Sequence, residues 1–222
     1  MNFQHEVIKS FATLREMLRD RGADTASLER LSGEDVAAMA AARNVFSFDL
    51  PSCRTRVVYE LNPKFKPADV RKHLPQPEAP DAPEARDEEG DGAGSSGSGE
   101  AGAAAEQPAT FIVVSNEQPS NAALKGILET GLDVQMFQLR ELQFNVSRHE
   151  SVPRHEPVRD EAEIERVAKR YGLRSRFQMP LILSSDPMAR YLALKHGQLV
   201  RITRVSPTAG DYVLYRCCTS AR

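Results

Sequence analysis

Residues 75–109 most constrain how this chain folds, because none of them has a branched aliphatic or an aromatic side chain. A segment of this kind buries too little apolar surface to offset the entropy lost on ordering it. Nine of its residues are acidic and one is basic. Prolines are common in its first half, and glycine, serine and alanine in its second, which is typical of an extended and then a flexible linker. The sequence therefore predicts a disordered acidic insert, without a functional site, between two foldable parts.

The rest of the chain has the composition of a globular protein. Hydrophobic residues make up 41% of the sequence, which is enough for ordinary cores. No apolar run approaches the ~20 residues that cross a bilayer, and the N-terminus has no basic region followed by an apolar one. The three cysteines, Cys53, Cys217 and Cys218, have no CxxC spacing. We expect a soluble intracellular protein in a reducing compartment, with no membrane partner.

The charges are distributed unevenly along the chain. Residues 149–222 hold thirteen basic and eight acidic residues, so this part is mildly basic while the insert is acidic. A basic surface of this size is compatible with nearby phosphate, but it is not by itself a sign of nucleic-acid binding. An ordinary solvated surface is the simpler interpretation.

Hydrophobic periodicity predicts helices and strands on both sides of the insert. An apolar stripe of helical period begins at Phe3 and ends before Gly22, and Ser32 with Asp35 has the spacing of a helix cap. Two alternating segments flank Pro51 as the strands of a hairpin would. The predicted elements of this part are helices over 3–21 and 33–42, strands over 45–50, 56–61 and 110–114, a helix over 120–130, and strands over 132–136 and 142–146.

Capping residues mark the elements of the C-terminal part. Asp160 begins a helix that Gly172 ends, and the apolar face of this helix is predicted to include Tyr171. Asp186, which a proline follows, begins a second helix that runs to Gly197. A hairpin of alternating apolar and polar residues comes next, with strands over 199–205 and 211–218 and a turn over 207–210. Together these elements predict a compact α+β domain.

The same C-terminal part carries a series of motifs in a fixed order. They are His149-Glu150, Arg170-Tyr171, Asp186-Pro187-x-Ala189-Arg190-Tyr191, Leu194-Lys195-x-Gly197-Gln198, Arg204, Ser206-x-Thr208-Ala209-Gly210-x-Tyr212 and Tyr215-Arg216. In order and spacing, this series resembles the C-terminal assembly domain of the fifth subunit shared by eukaryotic nuclear RNA polymerases I, II and III, a domain that also has an equivalent in archaeal RNA polymerases.

The resemblance implies a non-catalytic structural subunit that docks on the largest polymerase subunit and contacts neighbouring subunits during transcription. It implies a location in the nucleus, or in the nucleolus for a subunit specific to polymerase I. The implied fold is α+β, with an N-terminal mixed α/β jaw domain over 1–74 and 110–148, the insert over 75–109, and a small C-terminal α+β assembly domain over 149–222 that ends in a β-hairpin. The candidate residues of the subunit interface are Arg170, Tyr171, Asp186, Pro187, Arg190, Tyr191, Lys195, Gly197, Arg201, Arg204, Thr208, Gly210, Tyr215 and Arg216.

A weaker resemblance covers the N-terminal half, where the segment from Phe11 to Gly22 is similar to the family's opening helix. It implies a jaw of nuclease-like topology that lies near downstream duplex DNA and binds it weakly, without sequence preference. Residues 118–121 read Gln-Pro-Ser-Asn where the family has Thr-Pro-Ser-Ala, and His196 replaces the usual basic residue after Lys195. Backbone N–H groups at a helix start, with one lysine, suit contact with a DNA phosphate. The DNA-proximal candidates are Gln118, Pro119, Ser120, Asn121 and Lys125.

The residues themselves do not favour catalysis or a cofactor. Metal-dependent nucleases of the related topology use an Asp/Glu-x-Lys strand, and no lysine in this sequence has an acid two positions before it. His149, His155, Cys217 and Cys218 are the candidate zinc ligands, and their spacing matches no known pattern. We expect no catalytic, cofactor-binding or metal-binding residue and no small-molecule substrate. A stand-alone nucleic-acid-binding protein and a paralogue that serves another complex remain alternatives, as does a purely solvated role for the arginines.

Overall fold

The computed structural model describes residues 3–42, 45–62, 110–117, 132–206, 208 and 210–220. The predicted insert over 75–109 and the predicted helix over 120–130 lie outside these residues. None of the described helices is long and apolar enough to cross a membrane. The described helices are α1 (Phe3–Asp20), α2 (Ala26–Glu29), α3 (Gly33–Ala42), α4 (Glu161–Tyr171) and α5 (Pro187–Tyr191). The described strands are β1 (Val45–Leu50), β2 (Thr55–Glu60), β3 (Thr110–Ser115), β4 (Asp133–Gln138), β5 (Arg154–Val158), β6 (Leu181–Leu183), β7 (Leu199–Ser206) and β8 (Gly210–Thr219).

The chain forms two compact units, one of residues 1–43 with 137–222 and one of residues 44–136. This grouping differs from the predicted jaw and assembly domains, which follow the resemblance and stay a prediction. In the first unit α1 buries the apolar stripe that the sequence predicts. The predicted cap of α3 is also confirmed, because the Ser32 N–H donates to the Asp35 carboxylate (2.9 Å) and the Asp35 N–H donates to the Ser32 hydroxyl (3.1 Å).

The second unit is built around a four-stranded sheet of order β1-β2-β3-β4. β1 and β2 are antiparallel, as the predicted hairpin requires, and β2 and β3 are parallel. Val58, Phe111 and Val113 are buried in its core, and Val134 and Met136 of β4 pack against them. The near-continuous burial of β2 and β3 is typical of parallel strands inside a sheet.

A second four-stranded sheet, of order β5-β7-β8-β6, lies within the first unit. β7 and β8 form the predicted hairpin, with Ser206 opposite Gly210, whose φ of 67° suits a residue without a Cβ. β5 pairs antiparallel with β7, and β6 pairs parallel with β8 at Cys217, Cys218 and Thr219. Neither β5 nor β6 was predicted from the sequence. Both are short, and β5 contains a proline, which weakens a strand signal.

The helix α4 packs on this sheet with the caps that the sequence predicts. The Ala162 N–H donates to the Asp160 carboxylate (3.0 Å), and Gly172 ends the helix with a φ of 64°. Ile164 and Val167 join the core. The prediction that Tyr171 belongs to this apolar face is wrong, because Tyr171 lies in the last turn, beyond the core, and 52% of it is exposed.

The helix α5 is shorter than predicted, because it ends at Tyr191 rather than at Gly197. Ala193 adopts a left-handed φ of 53°, and the Leu194 N–H donates to the Ala189 carbonyl at 2.9 Å, which closes the helix in the manner of a C-terminal cap. Asp186 and Pro187 begin it as predicted, with the Met188 N–H donating to the Asp186 carboxylate at 2.8 Å.

The prediction of a strand over 142–146 is wrong. Two 3₁₀ turns, Leu139–Leu142 and Val146–Arg148, occupy this region instead. The Gln138 N–H donates to the Glu141 carboxylate (2.9 Å), and the Asn145 side chain accepts from the Ser147 N–H (2.9 Å). These local side-chain bonds to the backbone compete with strand pairing and fix the turns.

Candidate docking surface

A groove opens beside the last turn of α4 and the strands β7 and β8, and its volume is about 470 Å³. Half of its lining consists of predicted interface residues, which the structure brings together. The other half comes from residues that the sequence analysis did not select as candidates. We call the set the hairpin groove; its residues are Arg170, Tyr171, Arg201, Tyr215, Thr203, Asp211, Tyr212 and Val213.

Aromatic side chains form the walls of the hairpin groove. The rings of Tyr171 and Tyr215 meet edge to face, with centroids 6.5 Å apart. The guanidinium carbon of Arg170 lies 6.0 Å from the centre of the Tyr171 ring. Tyr212 is 53% exposed and Val213 is 40% exposed. Large apolar groups in a groove with cations are typical of a protein–protein contact surface.

One cation of the groove, Arg201, is already paired within the domain. Its guanidinium donates to the carboxylate of Glu156 at 2.6 and 3.1 Å and lies 3.5 Å from that of Glu163. The hydrogen bond from Arg201 is the main reason that the pKa of Glu156 is below its ordinary value. Arg201, on β7, therefore links β5 and α4 through Glu156 and Glu163, and these contacts fix the position of its side chain in the groove.

Two further predicted arginines, Arg204 and Arg216, have no ion pair to any carboxylate among the described residues. Arg204 is exposed on β7, opposite Tyr212. Arg216 is on the same face of β8 as Tyr212, and it donates to the Leu181 carbonyl at 3.1 Å. Their charge is available to a partner's carboxylates.

The remaining predicted residues of the hairpin region shape the turns. Thr208 is exposed between β7 and β8, two positions before Gly210. The Lys195 N–H donates to the Gln198 side chain at 3.0 Å. The Gly197 N–H donates to the Cys218 carbonyl at 2.8 Å with a φ of 79°, so a residue with a Cβ would be strained there.

Arg190 has an intramolecular partner that the sequence did not indicate. Its two terminal nitrogens donate to the two oxygens of the Glu141 carboxylate at 2.9 and 3.0 Å, and its guanidinium lies over the Phe137 ring at 4.8 Å. Burial acts to raise the pKa of Glu141, but hydrogen bonds from Arg190 and from the Gln138 backbone outweigh it and leave that pKa below its ordinary value. Arg190 therefore stabilises the fold in addition to any role at an interface.

A cluster at the end of α1 was missed by the sequence analysis. Arg21 donates to the carbonyls of Arg190 (2.9 Å) and Tyr191 (2.8 Å) in the last turn of α5, where carbonyls lack the full set of helix hydrogen bonds. The Tyr191 hydroxyl donates to Asp20 at 2.6 Å. Burial, together with this hydrogen bond, raises the pKa of Tyr191 to about 12. Contacts across about 170 residues leave no local signal in the sequence.

The described residues hold no group of three or more His, Cys, Asp or Glu side chains that suits a metal ion. Cys217 and Cys218 are unpaired and buried, and burial raises the pKa of both thiols. A raised pKa keeps a thiol protonated and unreactive, which supports a structural role. The five DNA-proximal candidates, residues 118–121 and Lys125, lie outside the described residues and stay predictions.

The segment that holds the hairpin groove matches a known domain. Residues 144–218 match the family described as RNA polymerase Rpb5, C-terminal domain. Over these residues the chain is similar to the C-terminal domain of the RNA polymerase subunit Rpb5. The match spans β5 to β8 with α4 and α5, and so it includes every residue of the hairpin groove.

Curated relatives agree with this family. The chain is 38% identical over 90 residues to the DNA-directed RNA polymerases I, II, and III subunit rpabc1 of Dictyostelium discoideum, a match that covers 40% of this chain and 45% of the relative. It is 38% identical over 108 residues to the DNA-directed RNA polymerases I, II, and III subunit RPABC1 of Caenorhabditis briggsae. This match covers 49% of this chain and 50% of the relative. It is 32% identical over 106 residues to the DNA-directed RNA polymerases IV and V subunit 5B of Arabidopsis thaliana, covering 48% of each chain. The chain thus spans about half the length of the curated relatives it matches.

Proposed function

We propose that this chain is a non-catalytic structural subunit of a nuclear DNA-dependent RNA polymerase, anchored on the largest subunit through residues 149–222. The observation that carries the proposal is the Rpb5 C-terminal domain at residues 144–218. The matched relatives are described by name as polymerase subunits, and their matched regions share 32–38% of their residues with this chain.

The hairpin groove, together with two arginines outside it on the same two strands, supports the docking role. Tyr212 and Val213 offer exposed apolar surface, and Arg204 and Arg216 offer guanidinium groups without carboxylate partners among the described residues. A guanidinium forms paired hydrogen bonds with a carboxylate, which favours an acidic contact on the partner. Asp186, Arg190 and Tyr191, which were predicted for the interface, act first by holding the domain together.

The proposal extends to the N-terminal half, with the predicted domain boundaries. There the chain has a jaw of nuclease-like topology beside downstream duplex DNA, which it contacts weakly and without sequence preference through residues 118–121 and Lys125. The protein acts in the nucleus, or in the nucleolus when it serves polymerase I alone. The support for these statements is the resemblance of the sequence to the polymerase subunit.

Affinity purification through a tag on the full chain tests the proposal. We expect the largest polymerase subunit and its neighbours to be recovered with the chain at near-physiological salt. Exchange of Arg204 for Glu should reduce that recovery, because it places a like charge against the partner's carboxylates. The matched control is Arg30→Glu, which makes the same charge change at an exposed position outside the Rpb5 domain. Recovery of the wild-type chain alone would exclude the polymerase role.

The Arabidopsis relative supports a second form of this function, since its name assigns it to polymerases IV and V rather than to I, II and III. A subunit specific to one polymerase would co-purify with one kind of largest subunit. A subunit shared among polymerases would co-purify with several. The identity of the largest subunits in the purified material separates these cases. Incubation of the pure chain with DNA and magnesium checks the stand-alone alternative, which predicts submicromolar binding or cleavage at physiological salt.

A further inference from the structure

The strand β8 has a free edge along half of its length. The β7–β8 pairing places the Cys218 N–H on the β7 side, where it donates to Gln198, while the Cys217 N–H points the other way and donates to Pro180 at 2.9 Å. Backbone groups alternate sides along an antiparallel strand. The N–H and C=O groups of Asp211, Val213 and Tyr215 therefore point away from β7, to the side on which β6 lies.

β6 does not cover these groups, because it pairs with β8 at Cys217, Cys218 and Thr219 alone. The chain leaves the edge just before β6, where Pro180 has no N–H to donate and Arg176–Gln178 forms a 3₁₀ turn. No described residue pairs with the outward backbone groups of β8 between Asp211 and Tyr215. This free edge continues the line of β6 along β8.

The side chains beside the free edge combine apolar surface with positive charge. Val213 and Tyr215 face the hairpin groove together with Arg170. Tyr212 also lines the groove, but it alternates with Val213 and therefore shares the other face of β8 with Arg216. Arg170 and Arg216, like Arg204 on β7, form no ion pair with a described carboxylate. A strand added here would place its alternate side chains between aromatic and guanidinium groups on both faces.

We infer that the free edge of β8, from Asp211 to Tyr215, accepts an extended segment of the polymerase subunit on which the chain docks, as an added strand with apolar and carboxylate side chains. The inference rests on the proposed function and names the contact by which docking occurs. Main-chain hydrogen bonds to an exposed sheet edge supply affinity, and the side-chain positions supply selectivity. Arg170, Arg204 and Arg216 match the carboxylates.

The chemistry of the edge argues against two other occupants. The acidic segment 75–109 of the same chain has the right charge, but it has no branched aliphatic or aromatic residue to lie against Tyr212 and Val213. A second copy paired antiparallel about Val213 would place Arg216 opposite Gly210 and would offer it no carboxylate. A separate chain that carries both kinds of side chain fits better than either.

A proline at one outward position tests the inference in the tagged full chain. Val213→Pro removes an outward N–H and leaves the bonds to β7, while Val213→Thr keeps the N–H and the branched shape. We expect Val213→Pro to reduce recovery of the largest polymerase subunit about tenfold, since a lost hydrogen bond and a steric clash together are of that order. Val213→Thr should behave as the wild type. Thermal unfolding shows whether both variants are folded.

Equal recovery by the two variants overturns the edge inference and leaves the proposed function standing. Failure of the wild type to recover any largest subunit overturns both. Hydrogen exchange on the wild type decides the matter if Val213→Pro does not fold. The amides of Asp211, Val213 and Tyr215 should exchange at least about ten times more slowly in the purified complex than in the free chain, while Leu214 is protected in both.

Exchange rates that do not change in the complex overturn the inference. The inference is also overturned if the amides of Asp211, Val213 and Tyr215 are already protected in the free chain. Two further comparisons then identify what occupies the edge. Protection that disappears when residues 76–107 are deleted assigns the edge to the chain's own acidic segment. Protection that depends on protein concentration assigns it to a second copy.

Discussion

The second sheet has one free edge along β5 and another along the part of β8 that β6 does not cover, and these two edges present different surfaces to solvent. On β5, Pro157 lies opposite Val200, whose backbone groups bond β8 rather than β5, so the Pro157 nitrogen faces outward and offers no hydrogen. Charged residues flank it, and Arg154 and Glu156 pair with each other at 2.5 Å. On β8, three residues, Asp211, Val213 and Tyr215, face outward with their N–H groups intact.

The difference shows which side of the domain is suited to a partner. Proline and paired charges on an edge are the usual protection against unwanted strand pairing. The β5 edge has both, and Arg201 on the neighbouring strand β7 is neutralised by Glu156. The β8 edge has neither, and Arg204 and Arg216 beside it are not neutralised by described carboxylates. One edge stabilises the fold and the other is available for recognition.

The largest expected effect is a difference in the free energy of unfolding between proline variants at two neighbouring positions on β8. Leu214→Pro removes an N–H that bonds β7, and should lower the free energy of unfolding by about 3 kcal/mol or more. Val213→Pro removes an outward N–H, and should change it by less than about 1 kcal/mol. Chemical denaturation of both variants measures the difference. Equal losses would show that the two sides of β8 are not distinct.

A smaller loss of stability is expected from a substitution in α5, which leaves the free edges of β5 and β8 unchanged. Asp186→Ala removes the cap of α5, and should lower the free energy of unfolding by about 1 kcal/mol. Asp186→Asn is the matched control, because its side-chain oxygen still accepts from the Met188 N–H. Recovery of polymerase subunits should be unchanged for both variants under conditions in which they are folded. Loss of recovery in a folded Asp186→Ala variant would assign Asp186 to the interface itself.

The contribution of the β5 edge to the stability of the fold should depend on pH. The pKa of Glu156 is lower in the folded chain than its ordinary value of 4.5, so its pairing with Arg201 stabilises the fold above that value. This stabilisation is lost as the pH falls through the lowered pKa of the folded state. We expect less than about 1 kcal/mol from an ion pair at this exposure. Denaturation of Glu156→Gln at neutral and acidic pH should show a smaller acid-induced loss than the wild type; identical losses would exclude a role for Glu156.

The smallest effect on stability is expected from opening the β5 edge. Pro157→Thr supplies an outward N–H and should change the free energy of unfolding by less than about 0.5 kcal/mol. It should nevertheless promote self-association, because an unprotected edge pairs with another chain. Analytical ultracentrifugation of wild type and variant measures this effect. A variant that remains as monomeric as the wild type would show that Pro157 is not what protects β5.

Local patterns predicted much of the fold. Caps at Asp160 and Asp186 and the alternation of the final hairpin are encoded by residues close in sequence, and the structure confirms them. The end of α5 could not be predicted, because Arg21 bonds its last carbonyls from 169 and 170 residues away. The strand expected over 142–146 was wrong because capping bonds at Gln138 and Asn145 override the alternating pattern.

The sequence predicted many residues of the candidate site, but it did not predict which of them stabilise the fold and which stay exposed. The sequence grouped Arg190 with Arg204, since both are arginines of the same motif series. The structure separates them, because Glu141 binds Arg190 across 49 residues while Arg204 stays exposed. Tyr212 and Val213 were not selected as interface candidates, although an exposed Tyr-Val pair in a strand is a usable signal.

The central proposal is that this chain is an integral subunit of a nuclear RNA polymerase. Quantitative mass spectrometry of complexes purified through the tagged full chain measures it most directly, together with DNA-dependent RNA synthesis by the same material. The account predicts that the chain and the largest polymerase subunit are recovered in equimolar amounts, with synthesis activity. Recovery of the chain without that subunit and without synthesis activity would contradict it.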